Sequence, residues 1–246
     1  MTGRGQIVLS LRGATKRFGG LTAVDSVDFD VAEHEVMGVI GPNGSGKSTT
    51  LNLISGALAP TAGTITLAGQ SIGGLPAQDI ARRGVARTFQ LVRLLPSMTV
   101  AENVMAGAVF GHRRRWGSAA RDHAERLLDR VGMGGKGHLA VGQLTYIDTK
   151  RVELARALAG DPKVLLLDEW LAGLNPTELQ EGIRLIRSLR DDGRTVVLVE
   201  HVMDAIRSLC DRCVVMASGK KIAEGTPATV LADREVIRAY LGDDDA

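Results

Sequence analysis

The run Gly41-Pro42-Asn43-Gly44-Ser45-Gly46-Lys47-Ser48 fits the spacing G-x-x-x-x-G-K-S without a mismatch. Each residue type has a physical reason. Glycine lets the backbone curl until successive N–H groups converge on anionic oxygens. A helix that starts at the lysine adds the positive end of its dipole. Lys47 can bring a full charge to β and γ phosphates, and the Ser48 hydroxyl suits magnesium. Thr49 follows directly. It joins Gly41, Asn43, Gly44, Ser45, Gly46, Lys47 and Ser48 in the expected nucleotide-binding set, with ATP and Mg2+ as the expected ligands.

Magnesium and an attacking water also need carboxylates. Asp168 and Glu169 follow the apolar run Val164 to Leu167. That run suits a buried parallel strand, whose C-terminal end is where an open α/β sheet places ligand chemistry. Asp168 is expected in the metal shell and Glu169 as the general base for water.

These groups work only if the chain delivers them to one place. Glu35 to Ile40 is an apolar run ending in the glycine loop, and Lys47 to Ala57 has helical spacing. Strand, loop and helix therefore follow in order. Ile7–Leu11 and Val24–Val31 read as an antiparallel N-terminal layer, and Thr64–Leu67 as a further strand. From Pro96 to Gly160 the pattern is mostly helical, with helices expected at Val100–Ala108, Ala119–Val131 and Thr149–Ala159. Strand signals return at Val164–Leu167, Thr195–Val199 and Val214–Met216, with helices at Thr177–Arg190 and Val202–Leu209. Lys221–Ala223 pairs back around Ser218-Gly219. The expectation is one α/β unit. Residues 1–90 and 160–225 form its core with a β layer, 91–159 a helical insertion, and 226–246 a terminal helix with a solvated tail at Asp243–Asp245.

The bulk numbers narrow the function classes. With 246 residues, 44% hydrophobic and 24% charged, the composition is ordinary for a globular chain. A net charge of +2 gives no broad basic surface for nucleic acid. Arg113-Arg114-Arg115 before Trp116 reads as a solvated loop, with a lipid headgroup contact as the alternative. No segment reaches the ~18 apolar residues that span a bilayer, and no apolar signal region opens the chain. Cys210 and Cys213 stand in C-x-x-C spacing without a second ligand pair, which points to structural thiols.

Over essentially its whole length the sequence resembles an ATP-binding subunit of an ABC transporter. Phe18, in Lys16-Arg17-Phe18-Gly19-Gly20, matches the aromatic that stacks on adenine. Gln90, in Arg87-Thr88-Phe89-Gln90, matches the glutamine that links magnesium and water to the helical subdomain. His201, after Val199-Glu200, matches the switch histidine near the γ-phosphate. Leu171 to Pro176 matches the loop that crosses to a partner subunit. The resemblance implies a RecA-like P-loop core with an N-terminal antiparallel β subdomain and an inserted α-helical subdomain. Gly84–Gln90, Leu95–Val104, Ala172–Pro176 and Lys221–Pro227 further resemble importers for branched-chain amino acids. That subfamily implies a second, non-identical ATPase subunit, two membrane-spanning permease subunits and, indirectly, a solute-binding protein. The chain would then sit peripherally on the cytoplasmic membrane face. A lipid or lipopolysaccharide exporter ATPase and a soluble non-transport ATPase are the competing readings, and a homodimer in isolation is the simplest alternative assembly.

One motif departs from the family. Where Leu-Ser-Tyr-Gly-Gln is expected, the chain has Leu144-Thr145-Tyr146-Ile147-Asp148. In the family this signature caps a nucleotide held by the opposite subunit. A β-branched side chain obstructs close backbone approach and disfavours positive φ. A carboxylate near a triphosphate repels it, unless Asp148 merely caps the following helix. The expectation is an unequal pair of ATP sites. Trp170 also stands where proline is usual after the glutamate.

Overall fold

The computed structural model describes residues 5–241, so Asp243–Asp245 lie outside the described residues. The chain runs β1 (Ile7–Phe18), β2 (Leu21–Ala32), β3 (Val36–Ile40), α1 (Lys47–Ile54), β4 (Ala62–Leu67), β5 (Gln70–Ser71), α2 (Ala77–Arg83) and β6 (Val85–Arg87). Helices α3 (Val100–Phe110), α4 (Gly117–Arg130) and α5 (Tyr146–Ala159) follow. The chain then alternates through β7 (Val164–Asp168), α6 (Pro176–Asp191), β8 (Thr195–Val199), α7 (Met203–Leu209), β9 (Arg212–Ala217) and β10 (Lys220–Gly225). It ends in α8 (Pro227–Leu231) and α9 (Arg234–Leu241), two short helices where one was expected.

Two sheets result. An antiparallel sheet has the order β2-β1-β4-β5, and the central sheet has the order β10-β9-β3-β8-β7-β6. In the central sheet β9, β3, β8, β7 and β6 pair in parallel, and β10 is antiparallel on the edge. The buried β3, β7 and β8 are apolar on both faces, as parallel strands covered on both sides must be. Along β7 the residues divide by parity. Val164 and Leu166 join the core beneath the antiparallel sheet, with Leu9, Leu11 and Phe29. Leu165 and Leu167 join the core beneath the helices, with Val104, Leu128 and Leu158.

Several elements differ from expectation. β1 and β2 are each 12 residues long, so Phe18 closes a strand instead of following one. Register shifts and positive φ at Gly13 and Ser26 interrupt the alternation that would have shown this. The short α2 and β6 lacked enough residues for a period to be visible. Helix α5 starts three residues before the expected Thr149, because Thr145 caps it by accepting the Asp148 N–H. Reciprocal caps from Thr99 with Glu102 and from Asn175 with Glu178 start α3 and α6.

Candidate active site

The carboxyl ends of β3, β8, β7 and β6 lie side by side, and each feeds a candidate residue into one edge. β3 runs into the glycine loop, β6 into Gln90, β7 into Asp168-Glu169 and β8 into Glu200-His201. Pairing of Asp168 with Val199 in the register puts the β7 and β8 exits level. This is the crevice beyond the strand ends that open parallel sheets use for ligands.

The glycine loop has little freedom. A Cβ on Gly41 would lie 2.0 Å from the Met216 carbonyl of β9, and one on Gly46 2.5 Å from the Ala23 carbonyl of β2. Both residues also have positive φ, so glycine is required by conformation and by space. Lys47 opens α1, and its Nζ donates to the Gly41 and Pro42 carbonyls at 2.8 Å each. Burial holds the Lys47 ammonium below its usual range, opposed by Glu169 and Asp168. Asn43, Gly44 and Ser48 are exposed at the loop, Thr49 is half-buried, and the Ser45 hydroxyl is buried without a protein partner. Phe18 is 46% exposed at the tip of the β1–β2 hairpin.

Asp168 and Glu169 are adjacent but held differently. Arg87 of β6 donates to Asp168 Oδ2 at 2.6 Å, with both side chains nearly buried. Arg87 also reaches Asn52 Oδ1 and Ser55 Oγ near the end of α1, which ties the glycine-loop helix to β7. Asp168 Oδ1 is buried with no protein partner. Glu169 adopts φ +49°, uncommon for a residue with a Cβ, while its N–H still donates to Val199 O at 2.8 Å. The turned backbone sends the side chain toward Gln90, whose Nε2 donates to Glu169 Oε2 at 2.7 Å. The Gln90 loop is itself gripped by Glu153 of α5, which accepts the Phe89 and Arg93 N–H groups. His201 is exposed just beyond Glu200.

The signature turn differs from its sequence-based picture. Asp148 is not the cap of α5. It sits in the first turn, nearly buried, with Oδ2 3.2 Å from Lys136 Nζ. The ion pair offsets part of its charge, which weakens the repulsion of phosphate expected from the letters alone. Ile147 has ordinary helical backbone and lines a cleft with Trp170 and Glu181. The exposed start of the helix is Thr145 and Tyr146, with Leu144 half-buried behind them. Trp170 packs inward, 2% exposed, and donates Nε1–H to Lys150 O at 3.1 Å. Cys210 and Cys213 are buried free thiols against Gly38 of β3, as packing residues would be.

Sequence reasoning missed four charged residues: Arg87, Glu153, Lys150 and Glu200. All are buried among groups distant in the chain, and only strand-end position hinted at Arg87 and Glu200. Glu200 accepts the Leu171 N–H at 2.6 Å, and its Oε2 has no protein partner. Burial pushes its carboxyl up to about 7 from 4.5, against the Leu171 and His201 N–H groups and Lys150. Between those values the folded chain holds a proton that the unfolded chain releases, so stability falls as pH rises through that window. The shift corresponds to roughly 3 kcal/mol at most. Glu200→Gln keeps an acceptor and removes the titration. Urea unfolding should show the variant more stable than the parent at about pH 8, with the difference vanishing near about pH 5.

Comparison with known proteins places this geometry. Residues 24–172 match the ABC transporter family, and residues 220–246 match the C-terminal segment of branched-chain amino acid ATP-binding cassette transporters. The chain is 42% identical over 252 residues to the high-affinity branched-chain amino acid transport ATP-binding protein LivG of Salmonella typhimurium, covering 97% of this chain and 99% of that one. Among solved structures, the ADP conformation of MJ1267, an ATP-binding cassette of an ABC transporter, superposes with a TM-score of 0.87 at 29% identity. That match covers 97% of this chain and 100% of the cassette. A dimeric bacterial cassette, MJ0796, superposes with a TM-score of 0.81 at 28% identity, over 89% of this chain and 98% of the other.

Proposed function

Because this chain belongs to the ABC transporter family and is an ATPase of that family, we propose that it energises an importer of branched-chain amino acids or related small polar solutes. The observation that carries the proposal is the convergence of the glycine loop, Gln90, Asp168-Glu169 and His201 on one sheet edge. The solute class rests on the likeness to LivG and on the C-terminal match.

In this reading the Gly41–Ser48 backbone and Lys47 hold the ATP phosphates, Thr49 supports the loop, and Phe18 stacks on adenine. The residues fit a magnesium ion. Ser48 offers an exposed hydroxyl, Asp168 a buried oxygen with no other partner, and Gln90 an amide bonded to the neighbouring Glu169. Magnesium would neutralise charge across the β and γ phosphates. Glu169 takes the proton of the attacking water, Gln90 orients that carboxylate, and His201 faces the γ-phosphate.

Cassettes of this fold form dimers, as in MJ0796. The partner here is proposed to be a non-identical ATPase subunit. With Asp148 paired, the reason narrows to Ile147, whose bulk stands where the family keeps glycine. An apolar groove of about 360 Å3 runs beside Gln90, lined by Phe89, Ala106, Phe110 and Arg156. Phe110 is 65% exposed there. This groove suits a helix of a membrane-spanning subunit. Among the described residues no helix is long and apolar enough to cross a membrane. A peripheral place on the cytoplasmic face is proposed from the likeness to LivG.

Affinity purification from membranes tests the assignment. Two membrane-spanning chains and a second, different ATPase chain should co-purify. ATP hydrolysis by the isolated chain should be slow and rise when that second chain is added. Recovery with ribosomes or DNA and no membrane chain would overturn the reading.

A further inference from the structure

The loop that leaves Glu169 is held from two sides by buried charges. Lys150, on α5, is 1% exposed, and its Nζ donates to the carbonyls of Trp170 at 2.8 Å, Ala172 at 2.9 Å and Glu169 at 3.3 Å. An ammonium has three donors, and all three are used on this one loop. The loop answers in kind, because Trp170 Nε1 donates to the Lys150 carbonyl. Glu200 holds the remaining face through the Leu171 N–H. The indole is seated by a glycine. A Cβ on Gly182 of α6 would lie 3.1 Å from the Trp170 ring and 2.6 Å from Leu171.

The same lysine touches the signature turn. Lys150 Nζ lies 5.1 Å from the centroid of the Tyr146 ring, over its face. That ring is 56% exposed at the start of α5 and also faces Gly173, further along the crossing loop. One buried cation therefore joins the outward-facing signature residue to the backbone that carries Glu169.

We infer that Lys150 and Trp170 form a reciprocal clamp that positions the Glu169 carboxylate and couples it to the signature turn of the same chain. The inference rests on Glu169 being the hydrolytic base. Lys150 is a positioning residue, since it contacts the loop and not the carboxylate. Misplacement of a reacting group by about 1 Å can cost on the order of a hundredfold in rate. Contacts to the glycine loop are untouched by the clamp, so its loss should appear in kcat and not in ATP affinity.

The test uses the full chain in its membrane complex with Mg-ATP, and four variants: Lys150→Met, Trp170→Phe, Glu169→Gln and the double variant Lys150→Met/Glu169→Gln. Lys150→Met should lower kcat at least ~10-fold with KM for ATP within about twofold. Trp170→Phe keeps an aromatic ring in the pocket and removes the N–H donor, and should lower kcat severalfold in the same way. In the Glu169→Gln background, Lys150→Met should add almost nothing, because both changes act on one group. A merely structural lysine would instead lower the residual rate again. Unchanged kcat in Lys150→Met, or a full further loss in the double variant, would overturn the clamp. If Lys150→Met does not fold, Trp170→Phe decides alone, and an unchanged kcat there overturns it. Failure of Glu169→Gln to reduce hydrolysis would instead fault the assignment of the base.

Discussion

Replacing Glu169 by glutamine is expected to lower the rate of ATP hydrolysis about 10²- to 10⁴-fold, the range for losing a positioned general base. The substitution is nearly isosteric. Its amide oxygen can still accept from Gln90, which donates to Glu169 Oε2 at 2.7 Å in the parent chain. The strained φ of +49° belongs to the backbone and should persist. What disappears is the ability to take a proton from water. ATP binding should survive, because the glycine loop and Lys47 lie on a different strand exit. Glutamine also removes a negative charge from beside the triphosphate, so affinity should hold or rise slightly, not fall. Phosphate release and equilibrium binding of labelled ATP, measured on the same preparation, separate the two effects. A fall in turnover below about tenfold would remove Glu169 from the role of base.

The second large effect concerns stability. Arg87→Met should destabilise the fold by about 3–5 kcal/mol, the usual consequence of stripping one partner from a buried ion pair. Asp168 would be left with one oxygen newly unpaired and the other already without a protein partner. The change also removes the donors that Arg87 sends to Asn52 and Ser55, so α1 loses its tie to β6 and β7. Methionine preserves the aliphatic stem, which confines the loss to charge and hydrogen bonding. In a chain of 246 residues each kcal/mol is worth roughly 2–4 °C in Tm, so thermal unfolding should move down by about 10 °C. Neutralising both partners, with Arg87→Met and Asp168→Asn together, should recover part of that loss, because no buried charge is then left alone. A double variant less stable than Arg87→Met would show that Arg87 matters through packing.

Much of the site is legible in the chain's letters, and the reason is local. A glycine loop advertises itself because its residues must adopt conformations that other side chains cannot, as Gly41 and Gly46 do against the Met216 and Ala23 carbonyls. An Asp-Glu pair after four apolar residues marks the end of a buried strand. Phe18, Gln90 and His201 enter the candidate set through the resemblance to ABC transporter ATP-binding subunits, whose landmarks they match in order.

What only the tertiary structure decided was how each group is held. The ion pair of Arg87 with Asp168 spans 81 positions and the grip of Glu153 on Phe89 spans 64. No period or motif connects such partners. They meet because β6 and β7 are neighbours in the sheet, and because α5 packs over the strand exits. The signature turn shows the same division. Its letters suggested a carboxylate facing phosphate, while the fold turns Asp148 inward to Lys136 and leaves Thr145 and Tyr146 outside. The sequence determined which chemical groups the chain has and where its backbone must bend. Burial and long-range pairing determined which charges are spent on holding the site and which remain free to act.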